Sequence, residues 1–502
     1  MTRATVFGIT IVLETDEPDI IKQMLEFYVV EKMFDFTTKT MRFFKTHKKI
    51  YNRTKKNYKV GTQYYELGIG WAAYILNVLG AYLNADDIDG IKKAIYQDTY
   101  RIVPFPNLRD YQNDDILHML KYKFGLFTVQ TGYGKTEVIA TITNYFFSEQ
   151  NKKILIVTPG TKARDEVVKR IKSRFGLDVS CKLGKGRIQA IITTGFMNKK
   201  ALKDPNKEKL IRAELETFDI VLSDEVEYCI NNAGNYIFSN TINATCRYAF
   251  SGTADKGNGN MISFQNGLRD ESIYRNLELI GFFGPSLIYR MPLDRIVNLV
   301  DIKTDALYKA KIDYSGSNNL YMDIMNSLFT CPEVCNLIVD IVGKYKNLFI
   351  PINNRQNIIS TWINSYFLKK FRILLVCGDG YIYYDLDGNK RNLTLAEACE
   401  YIEKDLVDVI PSTSSGFRAL DFPNLSNILL ISGKIAGSVL QQIGRVARQT
   451  EMTIITLSPN GKHKIPVYSS GCLEREKMIL EYYKYCKINK TCIDSNEIYN
   501  RL

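Results

Sequence analysis

Short, continuous apolar runs alternate with longer polar or amphipathic stretches through the middle of the chain. Between residues 105 and 290 these runs are KILIVTP, IQAIITT, FDIVLSDE and RYAFSGTA. Such short, uniformly apolar runs are typical of strands covered on both faces, which occur in parallel α/β sheets. The alternation therefore predicts a parallel α/β domain over residues 101–290.

A second series of the same kind follows after about residue 345. It comprises NLFIPI, FRILLVCG, LVDVIPS, NILLIS and MTIITLS, and it predicts a second parallel-sheet domain over residues 291–470. Beyond it, EREKMILEYYKYCKINK onward predicts a helical tail over residues 471–502. A chain of 502 residues is also long enough for roughly three domains.

The first hundred residues differ in pattern from both series. A strand-like start, TVFGITIVLE, leads to a helix-like stretch, a basic segment and the apolar run YYELGIGWAAYILNVLGAYL. Pro104 and Pro106, which flank Phe105 at the start of FPNLRDYQ, then indicate a break. We therefore expect a small α+β domain over residues 1–100.

The basic segment of this domain predicts contact with an anionic partner. The whole chain has a net charge of +12, and residues 36–60 hold nine Lys/Arg and no acid, interleaved with Phe and Tyr. Cations neutralise phosphates and rings stack on bases, so the segment favours nucleic acid over an ordinary solvated surface. The candidate contacts are Arg42, Lys45, Lys48, Lys49, Arg53, Lys55 and Lys56.

Composition argues against a membrane-spanning protein and against a zinc-binding protein. No run approaches the ~18–20 apolar residues that cross a bilayer. The ten cysteines form no CxxC pair and the three histidines lie far apart, so we expect reduced thiols and no zinc site.

The segment GLFTVQTGYGKTEVIATI, residues 125–142, predicts a phosphate-binding loop between a strand and a helix. Glycines let the backbone wrap a phosphate at a helix N-terminus, where the amide groups favour an anion. Lys135 would reach the terminal phosphates and Thr136 would supply a magnesium ligand. The longer form of this motif has a further glycine where this chain has Val129, and a glycine turn before a helix is the alternative interpretation.

The run FDIVLSDEVE ends in two adjacent carboxylates, Asp224 and Glu225. Acids at the end of a buried strand are typical of a phosphate site. Asp224 would hold magnesium, and Glu225 would orient and deprotonate the attacking water. With the glycine loop, this pair predicts a nucleoside triphosphatase.

The second half of the chain adds QQIGRVARQ, which places Gln441, Arg445 and Arg448 at helical spacing. An arginine face from a second domain is expected to stabilise charge on a transferring γ-phosphoryl group. A basic surface helix is the alternative interpretation.

Taken in order, TGYGKT, DEVE, SGTA, RALDFP and QQIGRVAR resemble the motifs of superfamily 2 helicases and translocases. The resemblance implies two tandem RecA-like domains with ATP and Mg²⁺ between them. It also implies single-strand contacts at Thr161, Thr194 and Thr413. The catalytic residues would be Lys135, Asp224, Glu225, Gln441, Arg445 and Arg448. LRDYQ, residues 108–112, resembles the adenine-recognition segment that lies upstream of the phosphate loop in this superfamily, so Gln112 would read adenine. The nucleotide-binding residues would be Arg109, Gln112, Thr131, Gly132, Tyr133, Gly134, Lys135, Thr136 and Asp421, with magnesium on Thr136 and Asp224.

Within the superfamily, the layout is most similar to the phage UvsW-type repair and recombination helicases. This implies a monomer acting on single-stranded, forked or branched DNA in the cytoplasm, or in the host cytoplasm if the chain is viral. One departure is Glu227, which stands where histidine or aspartate usually ends the acidic motif. Three alternatives are a double-strand translocase that does not unwind, an RNA helicase, and a nucleic-acid-binding scaffold with a decayed ATPase site.

Overall fold

A computed structural model of the chain describes residues 2–35, 40–57, 61–129, 132–197, 204–252, 271–290, 295–310, 326–352, 356–377, 380–413, 425–431, 443, 450–461, 465, 468–484, 486–495 and 497. Apart from two short segments, residues 1–290 form one compact unit and residues 291–502 form a second. The predicted domain boundaries near residues 100 and 470 stay predictions.

The chain begins with a four-stranded antiparallel sheet, here called the N-terminal sheet, in the order β1-β2-β6-β5. Ile11 and Leu13 of β2 alternate with less buried residues, and they share a core with Tyr65 and Leu67 of β6. The predicted small α+β N-terminal region is confirmed. Its strands are β1 (Thr2–Phe7), β2 (Thr10–Thr15), β3 (Glu26–Asp35), β4 (Thr40–Lys49), β5 (Tyr51–Asn57) and β6 (Thr62–Gly68), with β3 paired to β4. Its helices are α1 (Pro18–Leu25), α2 (Ala72–Leu79) and α3 (Ala85–Ile95).

The first parallel sheet, with its helices, is here called lobe 1. Its six strands run in the order β12-β7-β11-β10-β8-β9, and every neighbouring pair is parallel. The strands are β7 (Phe124–Val129), β8 (Ile154–Thr158), β9 (Ile188–Ile192), β10 (Ile220–Asp224), β11 (Cys246–Ser251) and β12 (Ser286–Arg290). The helices are α4 (Asp110–Met119), α5 (Lys135–Asn144), α6 (Thr161–Phe175), α7 (Pro205–Leu215), α8 (Val226–Cys229), α9 (Asn232–Asn240) and α10 (Glu271–Phe283).

Strand β8 shows why the apolar runs of lobe 1 are continuous. All five of its residues are buried, and alternate side chains enter different cores. Ile154 and Ile156 pack into one core, whereas Leu155 and Val157 pack into another. Since successive side chains point to opposite faces of a sheet, a strand covered on both faces is apolar throughout.

Glycines bring the N-terminal sheet into backbone contact with lobe 1. A Cβ on Gly68 would lie 2.3 Å from the carbonyl oxygen of Gly281, and one on Gly70 would lie 1.7 Å from that of Ile280. Leu277 of α10 and Phe124 of β7 also belong to the core of the N-terminal region. The first compact unit is therefore continuous from the N-terminal sheet to α10.

The second unit contains a nine-stranded sheet in the order β17-β16-β15-β18-β14-β19-β20-β13-β21. Strands β16 and β17 are antiparallel additions at one edge, and the other neighbours are parallel. The strands are β13 (Ile296–Thr304), β14 (Leu348–Ile352), β15 (Ile373–Cys377), β16 (Gly380–Tyr384), β17 (Lys390–Leu393), β18 (Val409–Thr413), β19 (Asn427–Leu430), β20 (Glu451–Pro459) and β21 (Lys487–Asp494). The helices are α11 (Ala306–Lys309), α12 (Pro332–Lys344), α13 (Gln356–Tyr366), α14 (Leu395–Glu403) and α15 (Tyr468–Tyr482). The predicted fold class, two tandem RecA-like parallel-sheet domains after a small α+β region, is confirmed.

The C-terminal tail is only partly helical, which corrects the expectation for residues 471–502. Helix α15 ends at Tyr482, and Lys487–Asp494 form β21, which pairs in parallel with β13. The pairing joins segments almost two hundred residues apart, so local helical periodicity could not reveal it.

Two observations concern membrane-spanning helices and the cysteines. No helix in the described part of the chain is long and apolar enough to cross a membrane. All ten cysteines are free thiols, and six of them are buried.

Candidate functional site

The glycine loop after β7 has the backbone that a phosphate-binding turn requires. Gly132 and Gly134 have φ angles of 84° and 93°, in the left-handed region that side chains disfavour. Helix α5 begins at Lys135 directly after them. The first amide groups of α5 therefore lie where the chain can bind an anion.

The glutamine predicted to recognise adenine packs against this loop. Gln112 is buried, and its Nε2 donates to the carbonyl oxygen of Tyr133 at 2.8 Å. Its Oε1 accepts from the backbone N–H of Arg109 at 3.1 Å. A Cβ on Gly134 would lie 2.7 Å from Nε2 of Gln112, so this glycine also makes room for the glutamine. The predicted nucleotide residues Arg109, Gln112, Tyr133 and Gly134 are thus brought together.

A second contact to the loop was not predicted. The hydroxyl of Tyr133 donates to Oδ2 of Asp115 at 2.8 Å, and both residues are buried. The bond ties the loop to α4. The sequence offered no signal for it, because the glycine motif specifies no residue type at the position of Tyr133.

The acidic pair lies at the carboxyl end of β10, one strand away from the loop strand β7. Strand β11 separates the two, and all three strands are parallel. Lys135 Nζ lies 3.0 Å from Oε1 of Glu225, with only 12% of the lysine side chain exposed. The structure therefore brings the predicted catalytic residues Lys135, Asp224 and Glu225 into one site.

The second acid, Glu225, has an unusual backbone conformation. Glu225 has a φ of 45°, a left-handed conformation that is unfavourable for a residue with a side chain. Its backbone N–H donates to Oδ1 of Asp224 at 3.0 Å. Strain of this kind is stored mainly at functional sites.

The electrostatics of the site are set by burial and by several close charges. Burial, followed by the negative charge of Glu225, raises the pKa of Asp224 to about 7, although Lys135 opposes the shift. Burial lowers the pKa of Lys135, but the charges of Glu225, Asp224 and Glu227 outweigh it and hold that pKa above its ordinary value. Glu227, the departure from the usual motif, thus adds negative charge near the lysine. Among the residues that the structure describes, three carboxylates, Asp224, Glu225 and Glu227, act on the one ammonium group of Lys135.

The donor set fits a magnesium ion. Asp224 is a buried carboxylate disfavoured by its surroundings, and Thr136 lies in the first turn of α5. In the described part of the chain, no three His, Cys, Asp or Glu side chains form a metal-binding group. Magnesium in phosphate sites is commonly held by one or two carboxylates together with substrate phosphates. Thr136 and Asp224 could hold the ion in this way.

Two predicted strand-binding threonines lie close together in lobe 1. Thr161 is exposed at the first turn of α6, and the side chain and backbone N–H of Thr194 both donate to the carbonyl oxygen of Pro159. The third, Thr413, ends β18 in the second unit and is buried. Thr161 and Thr194 therefore form one candidate contact surface.

The basic segment includes β5, one of the two edge strands of the N-terminal sheet. Arg53, Lys55 and Lys56 are exposed there, and exposed Lys49 lies over the ring of Tyr51 at 4.8 Å. Three further candidates lie on β4, whose side chains before Lys49 are outside the described part: Arg42, Lys45 and Lys48. Five other predicted site residues lie outside the described residues: Thr131, Asp421, Gln441, Arg445 and Arg448.

The resemblance drawn from the motifs is confirmed over residues 105–256. There the chain matches the family described as type III restriction enzyme, res subunit. The match covers less than half of the chain. A search of curated proteins found no match.

Several solved structures are similar in fold. The crystal structure of UvsW from bacteriophage T4 is 14% identical, with a TM-score of 0.39, and the alignment covers 98% of this chain and 99% of that one. Dbp5 of S. cerevisiae bound to RNA and ADP BeF3 is 12% identical, with a TM-score of 0.46, covering 79% of this chain and 96% of that one. Lhr of Mycobacterium smegmatis bound to single-stranded DNA and AMP-PNP is 15% identical, with a TM-score of 0.43, and the alignment covers 75% of this chain and 48% of that one. At such identities and TM-scores, function has to be inferred from this chain's own residues.

Proposed function

We propose that this chain is an ATP-dependent DNA helicase or translocase of the superfamily 2 type. It would act on single-stranded, forked or branched DNA in phage-type replication, recombination or repair, as a monomer in the cytoplasm. The observation that carries the proposal is the Lys135–Glu225 pair beside buried Asp224, at the end of a parallel sheet. A phosphate-binding loop facing two acids is the arrangement that nucleoside triphosphate hydrolysis requires.

Each residue has a defined task in this reaction. The amide groups at the start of α5 and the ammonium of Lys135 bind the phosphates of ATP. Magnesium, when bound, neutralises developing negative charge on the phosphates. Asp224 and Thr136 would hold the ion. When ATP binds, the ammonium group of Lys135 pairs with the phosphates, and its ion pair with Glu225 breaks.

Glu225 then acts as the general base. Its carboxylate accepts a proton from the attacking water as the bond to the γ-phosphorus forms and the bond to the ADP oxygen breaks. Gln441, Arg445 and Arg448 keep the role that the resemblance implies, which is to recognise and stabilise the γ-phosphoryl group. Gln112 recognises adenine, and Arg109 contributes to nucleotide binding.

Replacing Lys135 with alanine tests the hydrolytic site. Lys135→Ala should lower nucleic-acid-stimulated ATP hydrolysis by a factor of about one hundred or more, because charge stabilisation at the phosphates is lost. Binding of single-stranded DNA without nucleotide should be kept. Phosphate release and filter binding measure the two properties. Hydrolysis at the wild-type rate would show that the loop is not the ATP site.

The substrate is tested by comparing single-stranded DNA, forked DNA and RNA as activators of the wild-type ATPase. The proposal predicts that DNA activates more strongly than RNA. A larger response to RNA would favour the RNA helicase alternative. Strand-displacement and triplex-displacement assays side by side separate unwinding from translocation along a duplex.

The exposed cations of β5 are the proposed duplex or branch contact. Replacing Arg53, Lys55 and Lys56 with glutamine should weaken binding of forked DNA and lower the salt dependence, the slope of log K against log[salt], by about three, since each lost contact to a duplex phosphate removes roughly 0.9. Deleting the whole region is a poor test, because Phe124 and Leu277 of lobe 1 pack into its core.

A matched control removes three exposed lysines elsewhere, Lys344, Lys369 and Lys370. They precede β14 and β15 and therefore lie at the amino ends of the strands, away from the edge where α/β sheets bind ligands. The control triple variant should keep the wild-type salt slope. Equal slopes for wild type and the β5 variant would remove β5 from the DNA contact.

A further inference from the structure

Helix α6 joins two parts of lobe 1 that have different predicted tasks. Its first residue, Thr161, belongs to the candidate strand-binding surface, together with Thr194. Near its other end it carries Arg170 and Arg174, which are four residues apart and so share one face. At 1.5 Å per residue, Thr161 and Arg174 are roughly 20 Å apart along the helix.

Both arginines pair with one carboxylate of the phosphate-loop helix. Arg170 Nη1 lies 3.2 Å from Oε2 of Glu137, and Arg174 Nη1 pairs with Oε1 of the same side chain. Glu137 is in the first turn of α5, two residues after Lys135. Only 16% of the Glu137 side chain and 23% of the Arg174 side chain are exposed. The distal end of α6 is therefore held to the start of the loop helix.

Arg174 makes a further contact with the adenine-recognition segment. Its Nη2 donates to the carbonyl oxygen of Asn107 at 2.7 Å. Asn107 immediately precedes LRDYQ, and its φ of 62° places it in the left-handed region. The segment continues to Gln112, which donates to the carbonyl oxygen of Tyr133 in the loop. One guanidinium thus links α6 to both chain segments that surround the proposed nucleotide.

The contacts of Glu137, Arg170 and Arg174 differ from an ordinary surface ion pair. Exposed pairs contribute little to stability and join only two groups. Here the carboxylate is largely covered and receives two arginines, and one of the arginines also donates to the backbone of a left-handed turn at Asn107. An arginine suits this task because its planar fork donates in several fixed directions at once.

We propose that Arg174, supported by Arg170, is a positioning residue that couples nucleic-acid contact at the start of α6 to the nucleotide site. This inference rests on the proposed function. A strand bound at Thr161 and Thr194 biases the position of α6. The Arg174–Glu137 and Arg174–Asn107 contacts carry that bias to the phosphate loop and the adenine segment. The coupling would appear as stimulation of ATP hydrolysis by nucleic acid.

The test compares ATP hydrolysis with and without single-stranded oligothymidylate in wild type, Arg174→Gln and Glu137→Gln. Arg174→Gln should reduce the stimulation factor, the ratio of the two rates, by about fivefold or more, within the usual range of coupling between sites. The KM for ATP in the absence of DNA should change much less. Arg174→Lys, which keeps the charge but loses the fork, should recover part of the stimulation.

A matched control is Arg212→Gln on α7. Arg212 pairs with Glu208 of its own helix at 2.9 Å, and Glu208 also accepts from the hydroxyl of Tyr236 in α9. The substitution therefore removes an arginine–carboxylate pair at α7 and α9 and leaves the Arg174–Glu137 pair in place. The control should keep the wild-type stimulation factor. The double variant Glu137→Gln/Arg174→Gln should be no worse than Arg174→Gln alone, because both changes interrupt one network.

Three results would overturn the inference. Basal and stimulated rates that fall by the same factor in Arg174→Gln would show a purely structural role. An unchanged stimulation factor in that variant, with wild type strongly stimulated, would remove α6 from the coupling while leaving the proposed function intact. A wild-type chain whose hydrolysis does not respond to DNA or RNA would contradict the proposed function and this inference together.

Discussion

Two buried aspartates near the carboxyl ends of parallel strands have pKa values that are shifted in opposite directions. Asp224 ends β10 in lobe 1 and Asp301 lies on β13 in the second unit, with 6% and 4% of each residue exposed. Burial and the charge of Glu225 raise the pKa of Asp224 to about 7. Burial also favours a higher pKa for Asp301, but its hydrogen bonds with Lys303, Ser458 and Thr456 outweigh burial and lower that pKa.

The partners explain this difference. Asp301 Oδ1 accepts from Ser458 Oγ at 2.6 Å and Thr456 Oγ1 at 2.9 Å, and its Oδ2 lies 2.7 Å from Lys303 Nζ. Asp224 accepts from the backbone N–H of its neighbour Glu225. The side chain of Glu225 is itself a second carboxylate. The protein itself stabilises the charge of Asp301, whereas the charge of Asp224 is stabilised best by a cation from outside. The structural acid Asp301 and the proposed metal-binding acid Asp224 differ in their donors and not in their burial.

The largest expected effect is that of Asp224→Asn. ATP hydrolysis should fall by about one hundredfold or more, because a magnesium ligand is lost at the reacting phosphates. The metal-free variant should also melt at a higher temperature than metal-free wild type, since a buried charge beside Glu225 is removed. Calorimetry in a chelator, with the ATPase assay, measures both properties. A lower melting temperature would show that the protein already compensates the Asp224 charge.

A smaller effect of opposite sign on stability is expected for Asp301→Asn. At neutral pH the free energy of unfolding should fall by about 1–3 kcal/mol, because hydrogen bonds to a charged group are weakened. A carboxylate with a lowered folded pKa stabilises the fold above its unfolded pKa of about 3.9, and that contribution is lost as the pH falls through the folded value. Urea unfolding should therefore show a difference from wild type that is constant near pH 7 and shrinks below about pH 4. A difference that grows in acid would contradict the lowered pKa.

Much of this site could be predicted from sequence, because it depends on local motifs and on one property of parallel sheets. Lys135 follows β7, Asp224 ends β10, and the carboxyl ends of parallel strands meet at one edge. Their proximity follows without any knowledge of the side chains. The two-faced burial of β8 was predictable for the same kind of reason, since its run ILIVT is apolar throughout.

Contacts between distant segments could not be predicted in this way. Gly68 and Gly70 approach the backbone of α10, which lies about two hundred residues later in the chain. Arg170 and Arg174 are spaced to share a helix face, but nothing local in the sequence identifies Glu137 as their partner. Strand β21 likewise depends on pairing with β13. Such contacts are set by tertiary packing, on which local propensity gives no information.

The most direct test of the central claim is the ATPase of Glu225→Gln measured with and without single-stranded DNA. The wild-type rate should rise when DNA is added. The variant should bind ATP and DNA but hydrolyse at least about one hundred times more slowly, because the amide accepts no proton from water. A variant that hydrolyses ATP at the wild-type rate would contradict the assignment of Glu225 as the general base of a DNA-stimulated motor.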